Sequence, residues 1–214
     1  MRSIILVLAL TLVTTDVTKG FASTRVTKAS NVKTAVKSDL LVEELLRYAR
    51  KVGPVGSLAT ERERERVKEL ARTLTSQNGI DNPAKFPLRG THDLVYSAAP
   101  GGSSGRLFGP VYGKVTQEFL EDDKTFINAV QIGPIEISLQ AEKSVKNNKT
   151  NVVKFRKSII KVFGKTIVEK EIAGGGVWQY LFMGTVLDEK GRKTLLRVME
   201  TPSLFIIEQP LAEP

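Results

Sequence analysis

Apolar positions in this chain follow two periods. From residue 39 to about 76 they recur at the spacing of a helix. Beyond residue 90 they alternate or run in short blocks. "SDLLVEELLRYARKVG" predicts a helix from about Leu40 to Lys51, with Ser38 or Asp39 as its cap. Leu41, Leu45 and Tyr48 share its apolar face, and Gly53-Pro54 ends it. "TERERERVKELARTLTSQNG" predicts a second helix. Thr60 and Glu63 have the spacing of a capping box, and Val67, Leu70, Ala71 and Leu74 form the buried stripe. The "ERERER" run reads as a solvated first turn with mixed-sign neighbours rather than a binding motif.

After the Pro-broken connector "IDNPAKFPLRG", segments of strand composition follow at 92–98, 112–120, 125–132, 135–142, 151–163, 166–172, 177–187, 194–199 and 203–208. Turn signals such as "EDDK", "KNNK", "AGGG" and "DEKGRK" separate them. Strands without intervening helices predict a mainly β protein, an antiparallel sandwich or barrel, preceded by two short α-helices. In "VWQYLFM", simple alternation puts Trp178, Tyr180 and Phe182 on one face and Val177, Leu181 and Met183 on the other. Both faces are apolar, so this strand is covered on both sides or lines a cavity.

The N-terminus departs from this pattern. "MRSIILVLALTLVTT" has Arg2 and then an apolar run from Ile4 to Val13, too short to span a bilayer as a helix. It matches the hydrophobic region of a secretory signal, with Thr18 and Gly20 small enough to flank a cleavage site before Phe21. A buried N-terminal strand is the alternative. Residues 21–38 hold Ser, Thr, Lys and Arg and no acidic residue, which is transit-peptide composition. Together the two segments resemble the bipartite presequence of algae with complex plastids, in which a Phe in a context like "GFAS" follows the signal cleavage site. A flexible linker behind an ordinary signal is the other reading. The domain organisation expected is a signal at 1–20, a transit-like segment at 21–38, a helical segment at 39–85 and a β domain at 86–210.

Charge changes the picture less than its total suggests. Of the net +9, residues 1–38 carry +5, from Arg2, Lys19, Arg25, Lys28, Lys33 and Lys37 against Asp16. The remainder is only mildly basic, with charges interspersed and no basic face interleaved with aromatics, which argues against nucleic acid as a partner. There is no cysteine and one histidine, so neither a thiolate nor a His-rich metal site is expected.

That histidine, His92, stands beside Asp93 and ahead of "APGGSSG". Adjacent residues on a strand point to opposite faces, so Asp93 cannot orient His92 as a base; His92, Leu94 and Tyr96 are expected to share a face. "GGSSG" is neither G-x-S-x-G nor a P-loop. No catalytic residue, metal ligand or cofactor is expected, and the stretch reads as the first barrel strand followed by a flexible surface loop.

The same strand carries a family resemblance. Asn82-Pro83, Pro87, Leu88, Gly90, Leu94 and Tyr96 resemble the opening of the plastid lipid-associated proteins, or fibrillins. Gly113-x-Val115-x-Gln117, "INAV" at 127–130, Leu187-Asp188, "LRV" at 196–198 and "LFIIEQ" at 204–209 resemble its later strands in order. The similarity spans roughly residues 39–210. His92 stands where the family has Trp, a second Arg after "LR" is missing, and "DEKGRKT" is longer than usual. The resemblance implies a lipocalin-like antiparallel β-barrel in the chloroplast or another plastid, at thylakoids or plastoglobules. It implies a non-enzymatic protein that binds or organises apolar isoprenoid lipids, quinones or carotenoids, on a peripheral membrane or lipid-droplet surface. A structural subunit attached to a plastid membrane complex and an enzyme on a similar barrel are the other classes. The candidate ligand-binding residues are Tyr96, Phe119, Trp178, Tyr180 and Phe182 for aromatic area, with Gln117 and Arg197 as polar anchors. A filled core built from the same side chains is the competing expectation.

Overall fold

A computed structural model describes residues 31–100, 104–108, 111–188 and 190–211. The expected signal segment at 1–20 lies outside them, as does most of the transit-like segment. Helix α1 runs over Asn31–Val52 and α2 over Glu61–Thr73. The capping box at α2 forms as expected: Glu63 N–H donates to Thr60 Oγ1, and Thr60 N–H donates to the Glu63 carboxylate at 2.9 Å. At the end of α1, Gly53 takes φ +91° and its N–H closes onto the Ala49 carbonyl, the left-handed stop that glycine adopts without a Cβ penalty. The start of α1 differs from the sequence expectation. Nothing between Asn31 and Val52 is Gly or Pro, so the helix continues upstream of Leu40, and Ser38 and Asp39 lie within it instead of capping it.

The strands are β1 Gly90–Ser97, β2 Arg106–Phe108, β3 Val111–Tyr112, β4 Lys114–Phe119, β5 Thr125–Ile132 and β6 Ile135–Asn147. They continue as β7 Thr150–Val162, β8 Lys165–Glu171, β9 Gly175–Leu187, β10 Lys193–Glu200 and β11 Leu204–Pro210. All nine expected strand segments are present. Eight strands form an antiparallel ring in the order β6-β5-β4-β1-β11-β10-β9-β7, closed by pairing of β7 with β6. The barrel-like fold expected from the sequence is therefore the one observed.

Closure is uneven. β7 pairs with β9 only from Thr150↔Gln179 to Lys154↔Gly175. Beyond Phe155, β7 pairs instead with β8, from Lys157↔Glu171 to Val162↔Lys165. Among the described residues β8 has no second partner, and its seven residues are all exposed. The ring is therefore tight at one end and splayed at the other. Gly175 permits the tight closure: a Cβ there would collide with the Val153 carbonyl oxygen.

Two cores result. Helices α1 and α2 pack Val42, Leu45, Leu46, Val67, Leu70 and Leu74 against the outer face of β1, β9, β10 and β11, through residues such as Val95, Phe182, Leu196, Val198 and Ile206. Full burial of each such side chain contributes about 1.5–3 kcal/mol. The second core fills one end of the ring. Phe119, Phe126, Trp178, Tyr180, Met183 and Met199 face inward there. The connector at residues 80–88 stoppers that end: Pro83–Lys85 forms a 3-10 turn, Ala84 N–H donates to the Asn148 carbonyl and Leu88 N–H to Asp123 Oδ1.

Among the register slips of this sheet, two bear on the candidate residues. Pairing of β1 with β11 slips between Leu94 and Tyr96, and pairing of β9 with β10 slips between Val198 and Met199, which face Phe182 and Tyr180. Each slip inserts one extra residue, Val95 and Leu181, and moves the following side chains to the other face. Tyr96 and Phe182 are thereby in the helix-facing core, and Met183 is in the interior. Trp178, Tyr180 and Phe182 do not share a face, and Tyr96 does not share one with His92 and Leu94.

Candidate functional site

The interior of the ring is the candidate site, and strand register defines its layers. At the stoppered end, Phe119 contacts Phe126 with ring centroids 5.3 Å apart, and Trp178 lies 4.8 Å from Phe126 and 6.4 Å from Phe119. These offset and edge-on contacts make a packed aromatic floor.

Above the floor is a polar layer. Arg197 is wholly buried, and its Nη2 donates to Gln117 Oε1 at 2.7 Å. Gln117 Nε2 donates in turn to Asn128 Oδ1 at 2.8 Å. On the other side the Tyr180 hydroxyl helps hold the guanidinium's charge and accepts a 3.4 Å hydrogen bond from Asn151 Nδ2. The guanidinium carbon lies 5.1 Å from the Phe119 ring centroid, a cation–π geometry. Burial pushes the Arg197 pKa down, yet a guanidinium remains charged in proteins. No carboxylate pairs with it among the described residues. Among the same residues its Nε and Nη1 have no hydrogen-bond partner, and neither has Asn151 Oδ1.

His92 belongs to the same layer, opposite Gln117 on β4 and edge-on to Phe119 at 5.2 Å. Neither ring nitrogen has a partner at hydrogen-bonding geometry. Burial first, and then the charge of Arg197, push its pKa down to about 3, with the backbone at Arg89 offsetting part of this. The imidazole is therefore neutral at physiological pH. Asp93 points to the outer face and pairs with Lys114 at 2.9 Å, so His92 and Asp93 diverge as the strand pattern requires.

Beyond the polar layer the inward-facing wall is apolar and, except for the buried Val130, half-buried. Val115, Val130, Ile137, Leu139 and Ile160 line up across β4, β5, β6 and β7 in the splayed half of the ring. Phe155, Leu94 and Phe205 border the interior core and are partly buried. Asn128 is itself half-buried, at the junction of the polar layer and this apolar mouth. By contrast, the surface groove of about 610 Å³ at the stoppered end is lined by charges of both signs, among them Lys85, Asp122, Glu142 and Arg156.

Of the candidate ligand-binding residues, Gln117, Phe119, Trp178, Tyr180 and Arg197 thus meet inside the ring. Tyr96 and Phe182 lie outside it under the helices. The mouth residues on β5, β6 and β7 were not singled out in the sequence, although the alternation of "PIEISLQ" marks Ile137 and Leu139 as one face. His92 in the polar layer carried no signal beyond its position before Leu94.

No curated protein and no solved structure matches this chain. The model of the family described as PAP_fibrillin matches residues 41–200, from α1 to the end of β10. With that match over most of its length, and with helices leading into a ring of eight antiparallel strands, the chain belongs to the PAP_fibrillin family of plastid lipid-associated proteins.

Proposed function

We propose that this protein binds an apolar lipid inside its ring and organises it at a plastid lipid surface without catalysing a reaction. The observation that carries this reading is the layered interior: a packed aromatic floor, a buried polar layer with unused donors, and a half-exposed apolar mouth. Pockets for apolar ligands have this composition, mostly apolar walls with a few polar groups that fix orientation. A ring of eight strands is about wide enough for one small ligand. Gln117 and Arg197 are the polar anchors of the proposal, Phe119, Trp178 and Tyr180 its floor.

Isoprenoid quinones and carotenoids are the ligands the family suggests, and thylakoids or plastoglobules the surface. Delivery to the plastid rests on the proposed signal at 1–20 and transit segment at 21–38. A second cut near Ser38 falls within α1, upstream of Val42, the first buried residue described in that helix. A fluorescent fusion of residues 1–40 tests this: plastid entry is expected, and export to the medium contradicts it. Lipid extraction and mass spectrometry of the protein purified from its own cell test the ligand.

One feature favours a second reading, a subunit that docks on a membrane complex. β8 offers a free edge with Ile167 and Val168 exposed, and Phe163 protrudes at the β7–β8 turn. Under that reading the purified protein carries no stoichiometric lipid.

A further inference from the structure

We infer that the ligand of this interior ends in a carboxylate, seated on Arg197, with its hydrocarbon chain running along the apolar mouth. The inference rests on the lipid-binding reading and narrows it from neutral isoprenoids to long-chain acids.

The argument begins with charge. A buried cation without a counter-ion is costly, several kcal/mol even after relaxation, and proteins pair such groups. Arg197 is fully buried, donates to a neutral amide, Gln117, is held also by the neutral Tyr180 hydroxyl, and leaves Nε and Nη1 unpartnered among the described residues. Every other polar group of its layer is also neutral. Gln117, Asn128 and Asn151 are amides, Tyr180 is held as the phenol by burial, and His92 is neutral. The nearest other buried cation, Lys143, already has Asp123 at 3.2 Å. Among the described residues the interior therefore carries one uncompensated positive charge.

The valence of the ligand follows. A single carboxylate neutralises one guanidinium and accepts from its free N–H groups. A dianionic phosphate leaves the interior with a net negative charge, because the second buried cation, Lys143, over the same Phe119 ring at 6.0 Å, is already paired with Asp123. A quinone or an alcohol accepts a hydrogen bond but leaves the charge uncompensated. Geometry sets the direction of the chain. The aromatic floor and the connector at 80–88 close one side of the polar layer. The only half-buried member of the layer, Asn128, faces the side where Val115, Val130, Ile137, Leu139 and Ile160 form the wall. An acid lodged on Arg197 then extends its chain toward the splayed end between β5, β6 and β7.

The test uses the delipidated full chain and reads the fluorescence of Trp178, the only tryptophan. Hexadecanoate, methyl hexadecanoate, hexadecanol and a decyl-tailed plastoquinone analogue are titrated at pH 8 into the protein and into Arg197→Met. The expected result is that hexadecanoate binds at least tenfold tighter than its ester and alcohol, and that Arg197→Met abolishes this preference. Equal binding of acid and ester, or an acid preference that survives Arg197→Met, overturns the inference. If Arg197→Met does not fold, the acid-to-ester ratio in the unmodified protein decides alone. Saturable quinone binding without acid preference rejects the carboxylate and keeps the lipid-binding reading; no binding of any of the four rejects both.

Discussion

Arg197 on β10 and Gln117 on β4 meet inside the ring at 2.7 Å although 80 residues separate them in sequence. Only closure of the sheet brings them together, since β1 and β11 lie between their strands in the sheet. Their bond satisfies one donor of a buried charge and leaves others unused. That incompleteness is the feature the proposed carboxylate ligand answers.

Removing Gln117 is expected to cost more than removing Arg197. Gln117→Leu deletes a hydrogen bond to a charged group and strands the guanidinium, a loss of about 1.5–3 kcal/mol. Arg197→Met replaces the buried charge with an apolar chain of similar reach, and such replacements are often neutral or stabilising. Urea unfolding monitored by Trp178 fluorescence ranks the two. A larger loss for Arg197→Met contradicts the claim that its charge is uncompensated.

His92 gives stability a pH dependence of known sign. Its pKa is about 3 in the folded protein, against an ordinary value of 6.5. Between those values the unfolded chain binds a proton that the folded chain does not, so this contribution is complete above about pH 6.5 and is lost as pH falls toward 3. The slope approaches about 1.4 kcal/mol per pH unit within the window. His92→Phe is expected to remove this component from the acid limb of a stability–pH curve. A curve of unchanged shape between pH 6.5 and 4 contradicts the assignment.

Trp178 and Leu139 separate the floor from the mouth. Trp178 is packed between Phe119 and Phe126, so Trp178→Ala is expected to cost about 3–5 kcal/mol. Leu139 is half-buried, so Leu139→Ala is expected to cost less and to weaken lipid binding instead. Chemical denaturation of both variants, with a lipid titration of the Leu139 variant, checks the division.

Gly175→Ala tests the closure of the ring. The added methyl meets the Val153 carbonyl where β9 joins β7, and overpacking of this kind costs about 1–3 kcal/mol. Amide hydrogen exchange is expected to rise first along Thr150–Lys154. Unchanged protection there means that β7 and β9 are not closed as described.

Much of this architecture was legible in the residues because local chemistry specifies it. Thr60 and Glu63 announce a helix start by their spacing alone, and turn residues such as "EDDK" and "KNNK" delimit strands. What stayed hidden depends on partners distant in sequence. Val95 and Leu181 are the extra residues at two register slips, and nothing in "DLVYS" or "QYLFM" distinguishes a regular strand from a bulged one. The helices supply the reason for the slips, because Tyr96 and Phe182 end up beneath α1 and α2. The same dependence on the closed ring explains why the apolar wall of β5, β6 and β7 was not singled out. Of two opposed expectations, a filled core and an open pocket, the aromatic floor matches the first, and the splayed end is the proposed seat of the lipid.

The central claim is that a lipid occupies this interior, and the most direct measurement is the lipid content of the protein isolated from its own cell. Gentle purification followed by native mass spectrometry and lipid extraction is expected to show one apolar molecule per chain, with Leu139→Ala reducing the occupied fraction. Protein recovered without lipid, and unable to quench Trp178 fluorescence saturably with any plastid lipid, contradicts the account.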